Sequence, residues 1–302
     1  MVGLEGCSDP PFKIISDLGE DSMQKKLKLY FPVFALPTVV AFTIAFFIPF
    51  VLGVFLSFTK FTTVTDAKWV GFENYIKAFE NKEFLNSLWF TVKFAIVSVL
   101  TINILAFALA FILTRGKKGT NIFRTIFFMP NLIGGIVLGY IWQLIFNGIL
   151  LKYQMDLTYD AKFGFWGLVI LMNWQLIGYM MIIYVAGIQN VPGDLIEAAK
   201  IDGAGPFKIL KNVIIPMVMP SITICLFLTI TNGFKLFDQN LALTAGAPSR
   251  ESEMLALNIY NTFYGRVGSE GIGQAKAVVF FLIVATIAFA QLIITRKREV
   301  EN

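Results

Sequence analysis

Six long apolar runs interrupt the polar pattern of the chain, at about 31–58, 88–113, 126–146, 165–188, 213–234 and 277–295. At a rise of about 1.5 Å per residue, each is long enough to cross roughly 30 Å of hydrocarbon. None alternates with period two, which disfavours a membrane β-barrel. The pattern predicts an all-α polytopic membrane protein with six transmembrane helices. Three regions follow: a polar tail over 1–28, a membrane domain over 29–296 and a short tail over 297–302. The first tail has no secretory signal, since no short apolar core with a cleavage site follows. Met23, before Gln24-Lys25-Lys26, reads as a natural start, which makes residues 1–22 either an upstream extension or an engineering scar.

Composition agrees with lipid as the main solvent. Hydrophobic residues make up 56% and charged ones only 15%, with 31 Phe and a mean hydropathy of +0.70. A soluble domain carries about 25% charged residues. Orientation follows from the basic residues, which concentrate on cytoplasmic loops. With the N-terminus inside, inner segments hold 14 Lys and Arg and outer loops nine. Both termini are therefore expected in the cytoplasm, and the net charge of +5 reads as basic inner loops, not as a nucleic-acid surface. Lys93 and Lys276 fall near the outer ends of their runs and are expected to snorkel to the interface. The chain has no histidine, so the usual general base and metal ligand are missing. Two cysteines, Cys7 and Cys225, support neither a disulfide framework nor a thiolate metal site.

One inner loop, 190–212, differs from the rest. Pro192 suits the first turn of a helix, and Asp194 and Glu197 suit its positive end. Leu195, Ala198, Ala199 and Ile201 continue a short amphipathic helix. Gly203 and Gly205 permit the turned backbone that ends it, and Pro206 starts a second helix into the fifth run. The product is a helix–turn–helix elbow on the cytoplasmic face. A lipid-resting helix would carry basic residues over bulky apolar ones. Here Ala198 and Ala199 lie beside an acid, which favours close approach by another protein.

At these residues the chain resembles the permease subunits of ABC importers. Their loop reads Glu-Ala-Ala, three residues, Gly, nine residues, then Ile-x-Leu-Pro. Here it is Glu197-Ala198-Ala199, Gly203 and Val213-Ile214-Ile215-Pro216. The variant Asp202-Gly203-Ala204 looks like the carbohydrate branch. Phe237-Asp238 and Leu243-Thr244-x-Gly246-x-Pro248 look like the F-type subunit of maltose-type transporters. The resemblance covers roughly 30–296. It implies ATPase coupling through Glu197, Ala198, Ala199, Asp202, Gly203 and Pro216. It also implies a G-type permease partner, two ATPase subunits, an external sugar-binding protein and a bacterial inner-membrane location. No cofactor is implied for this chain, because ATP and Mg belong to the partner ATPase. No Gly-x-x-x-x-Gly-Lys-Ser/Thr phosphate loop occurs, nor a Gly-x-Ser-x-Gly nucleophile motif, so no enzyme activity is expected.

Polar side chains inside the runs mark a cavity, because they are costly in lipid. For any single one, interhelical hydrogen bonding or interfacial belting is the stronger reading. The resemblance places the family's sugar site at Asn131, Tyr179, Thr229 and Gly233. Tyr179 keeps the residue type and the others differ, which allows a substrate other than maltose. Gln175 and Asn232 join them on chemistry alone. The competing function is a secondary transporter driven by an ion gradient, which needs intramembrane acids or broken helices. No acid lies in the middle of any run.

Overall fold

The computed structural model describes residues 31–115, 119–265 and 267–297. The tail 1–28, the reading of its first 22 residues and residues 298–302 lie outside them. The chain divides into two units, residues 1–55 and 56–302.

The first unit is described by helix α1, Phe31–Leu56, apolar throughout and largely exposed. Its hydrogen bonding widens to a π turn at Thr43–Phe47, where the Ile48 N–H reaches the Thr43 carbonyl. Pro49 follows directly. A proline has no N–H and its ring clashes with the carbonyl four residues back, and a wider turn relieves both. The rings of Phe42, Phe46 and Phe50 stack along one side at 5.1 and 6.1 Å.

In the second unit a two-stranded hairpin, β1 Thr59–Lys60 and β2 Lys68–Trp69, precedes α2, Glu73–Glu80. Asp66 closes the hairpin turn, and the N–H groups of Thr62 and Thr63 hold its carboxyl below the usual carboxylate range. Then come α3 Lys82–Leu113, α4 Thr120–Phe128, α5 Gly135–Leu150 and α6 Ala161–Gln189. The elbow helices are α7 Gly193–Ile201 and α8 Pro206–Met217. The remainder are α9 Met219–Phe234, α10 Asp238–Leu243, α11 Leu255–Gly265 and α12 Glu270–Arg296.

Among the described residues five helices are long and apolar enough to span a membrane: α1, α3, Gly135–Tyr153, α6 and α12. A bent pair, α8 with α9, makes a sixth if it counts as one span. The core sits where α3, α6 and α9 meet, around Phe94, Ile102, Leu171, Met172, Met180 and Cys225. A polar clamp joins these three helices. Tyr184 of α6 donates to Asn103 of α3 at 2.6 Å, and Asn103 donates to Thr229 of α9 at 2.9 Å. Such bonds tie helices together where the surrounding lipid supplies no hydrophobic drive.

Two expected spans are not single helices. The third run, read as 126–146, divides into α4, a tight turn at Met129–Leu132 and α5. Pro130 lacks an N–H to continue the ladder, and Ile133 and Gly134 are extended. The detached α4 is held by α6, because Gly178 has no side chain and the Phe127 carbonyl lies where a Cβ would stand. The fifth run breaks at Val218, with an angle of 71° between its halves. A π turn at Leu210–Ile214 again precedes a proline, Pro216, with the same spacing as before Pro49.

Lys276 does not snorkel. It is 1% exposed and donates to Asn258 Oδ1 at 2.9 Å and Thr262 Oγ1 at 2.8 Å, over the Phe84 ring at 5.2 Å. Asn258 donates in turn to buried Glu253 at 2.8 Å. The amine is satisfied inside the protein and has no need to reach water. Lys93 is exposed beside Trp89, as expected of an interfacial lysine.

The crossing at Gly178 is open to test. Gly178→Ala forces a side chain against backbone, which should cost about 1–3 kcal/mol. A lowered thermal unfolding midpoint in detergent is expected. Gly148→Ala, with nothing within 4 Å of its added Cβ, should leave the midpoint unchanged or raise it.

Candidate functional site

A cavity of about 510 Å³ opens between α6, α9 and the turn after α4. Its lining is Asn131, Met172, Gln175, Leu176, Tyr179, Leu228, Asn232, Lys235, Leu236 and Gln239. Helical spacing explains the selection. Met172, Gln175, Leu176 and Tyr179 recur at three and four residues on one face of α6. Asn131 arrives from the break after α4, so the interrupted span itself delivers a polar side chain to the cavity. Irregular backbone at membrane depth is tolerated where it lines a cavity or packs on protein.

The amides are chained. Gln239 donates to Gln175 Oε1 at 2.9 Å, and Gln175 reaches the Ile133 carbonyl at 3.4 Å. Asn131, Asn232 and the Tyr179 hydroxyl complete a set of neutral donors and acceptors between apolar walls. Among the described residues no acid lines the cavity, and Lys235 is its one cation. This chemistry suits a hydroxylated solute.

Four of the six expected binding residues meet here: Asn131, Gln175, Tyr179 and Asn232. Thr229 and Gly233 do not line the cavity. They sit about a quarter-turn further round α9, where Thr229 bonds Asn103 and Gly233 faces Ala95 of α3, with Met172 of the cavity wall 3.9 Å from the place of its Cβ. Lys235 and Gln239 went unread because they follow the apolar run. No single-helix spacing pointed to them, since Lys235 follows the end of α9 and Gln239 belongs to α10.

The elbow forms as expected. The Gly203 N–H bonds the Lys200 carbonyl at 3.0 Å and the Ala204 N–H bonds the Ala199 carbonyl at 2.9 Å. With Gly203 at φ +76° this is a Schellman ending, which only a residue tolerant of left-handed backbone closes without strain. Asp202 is the C-cap, and Pro206 begins α8. One face is fixed to the membrane core through Ile196, Ala199 and Ala204. The other presents Glu197, Ala198, Ile201 at 87% exposure and Phe207 at 76%. Pro216 lies at the bend, away from this exposed face. Glu197 is the fifth helical residue, beyond the first turn, and Asp194 holds the helix-end position instead. Among the described residues Glu197 has no ion-pair partner.

The described residues combine membrane-length apolar helices with a polar cavity and an exposed elbow. The chain belongs to the family of binding-protein-dependent transport system inner membrane components, whose model matches residues 103–300. It is 43% identical over 293 residues to a probable starch degradation products transport system permease of Thermoanaerobacterium thermosulfurigenes, covering 92% of this chain and 100% of that one. It is 30% identical over 247 residues to a trehalose/maltose transport system permease of Thermococcus litoralis, covering 78% and 83%. Its fold matches a chain of a bacterial ABC transporter involved in alginate import, at TM-score 0.74 and 18% identity over 91% of this chain and 99% of that one. The resemblance to ABC-importer permeases is thereby borne out.

The two faces of α9 separate by experiment. Tyr179→Ala should raise the KM of solute uptake by about tenfold for the loss of a ring contact, and Gln175→Ala should raise it through the loss of an amide contact. Thr229→Val and Gly233→Ala should leave KM unchanged, with Thr229→Val lowering thermal stability through the lost Asn103 bond. A KM shift in Gly233→Ala would place the cavity wrongly.

Proposed function

We propose that this chain is one transmembrane half of an ATP-driven importer for a sugar or oligosaccharide. The amide- and tyrosine-lined cavity carries the proposal, with carbohydrate named among the relatives' cargoes as its support. The protein is the F-type half and pairs with a G-type permease. Two ATPase subunits bind ATP and Mg and dock on the elbow, and an external binding protein delivers the sugar. The chain catalyses no reaction itself. Bent α8–α9 counts as one span, giving six, and both termini lie in the cytoplasm of a bacterial inner membrane.

The elbow transmits motion because it is stiff at both ends. Its inner face packs against the core through Ile196, Ala199 and Ala204, so a displacement of its exposed face moves α6 and α9 as a body. Glu197 pairs with a basic residue in the ATPase cleft. An ion-gradient-driven transporter is the alternative. The breaks at 129–134 and Val218 meet one of its marks, and the other fails because no acid lies in the middle of an apolar run.

Glu197 lies outside the first turn, so its charge adds little to helix stability. Truncation should instead leave a cationic partner unpaired, at about 2–5 kcal/mol. Glu197→Ala and Gly203→Leu should therefore both abolish sugar-stimulated ATP hydrolysis in the reconstituted complex, with the chain still inserted. Unaltered stimulation in both variants refutes the elbow as the coupling element.

A further inference from the structure

The central cavity ends at residues 235–239, and the same segment borders a second cavity. Lys235, Leu236 and Gln239 face the first, while Phe237 lines the second, of about 450 Å³. Around it stand Tyr260, Phe263 and Tyr264 of α11 and Gln274 of α12. The rings form one connected set. Phe237 lies 5.2 Å from Tyr260, which lies 4.9 Å from Tyr264, itself 4.9 Å from Phe263. Tyr260 and Tyr264 are exposed. Among the described residues their hydroxyls, and the Gln274 amide, have no hydrogen-bond partner. Exposed ring faces beside free hydroxyl and amide groups suit a ligand with both C–H faces and hydroxyls, which is a sugar ring.

The rings stand on a fixed helix. On the other side of α11, Asn258 and Thr262 both take a bond from buried Lys276 of α12. Glu253 accepts from Asn258 at 2.8 Å and from Asn261 at 2.5 Å. At Gly273 an added Cβ would stand 2.9 Å from the Phe263 backbone, so α11 and α12 touch directly under the aromatic set. A buried lysine is costly in a membrane segment, and here it holds the element that presents the rings.

We propose that Phe237, Tyr260, Tyr264 and Gln274 form an outer saccharide subsite that adjoins the central cavity through residues 235–239 and engages the part of a longer sugar chain that the central cavity does not hold. The proposal rests on the sugar-import reading and narrows it to oligosaccharides.

The test uses the complete reconstituted transporter with its binding protein and a panel of linear gluco-, xylo- and arabino-oligosaccharides from disaccharide to heptasaccharide. The KM of uptake is measured for the wild type, Tyr260→Ala, Tyr264→Ala and Tyr260→Phe. Each alanine variant should raise KM for the longer chains by about three- to tenfold, the share of a stacked ring. The disaccharide of the same series is the internal reference and should shift by less than twofold. Tyr260→Phe should retain most of the affinity for long chains. Equal loss at every length, or no loss at any length, overturns the subsite while leaving sugar import standing; such rings would then serve a partner protein or the lipid interface. A wild type that takes up no member of the panel contradicts sugar import and the subsite together.

Discussion

The cavity depends on the crossing of α4 over α6 at Gly178. The break after Phe128 releases α4 from the line of α5, and an unsupported helical fragment in lipid would carry unsatisfied backbone groups. Contact with α6 supports it, and only a residue without a side chain lets the Phe127 backbone come so near. Tyr179 follows Gly178 directly, and Asn131 follows the detached helix within three residues. One close approach therefore sets both walls of the polar cavity.

Polar satisfaction governs the remainder. Polar side chains of the helices meet three fates: some bond a carbonyl of their own helix, as Thr91 and Thr231 do, some pair across helices, and some line cavity space. Asn103, Tyr184 and Thr229 pair across helices, and Asn131, Asn232 and Tyr179 line the cavity. Lys276 follows the same rule at the far end of α12, where Asn258 and Thr262 replace its water. The elbow uses backbone in the same way. Its two closing hydrogen bonds leave a stiff turn, and its apolar face joins the core, so the exposed face has no slack to absorb a push.

Local signals were legible in the sequence and distant ones were not. The elbow was readable because Pro206, Gly203 and the Glu-Ala-Ala run act on their own neighbours. The apolar runs located the spans. They hid the breaks at Ile133 and Val218, because hydropathy is blind to a proline that stops a ladder without changing polarity. The partners of Lys276 lie 14 and 18 residues upstream on a separate helix, beyond any local pattern. Resemblance placed Thr229 and Gly233 beside the substrate; they are not in the lining of the cavity, one residue round α9 from Leu228 and Asn232.

The central claim is that ATP hydrolysis outside this chain moves a sugar through it. Proteoliposomes holding the assembled transporter, with binding protein and radiolabelled oligosaccharide on one side, test this most directly. ATP supplied at the elbow face, with no ion gradient imposed, should drive accumulation of the sugar, and a proton or sodium gradient without ATP should drive none. Accumulation powered by the ion gradient alone would contradict the account.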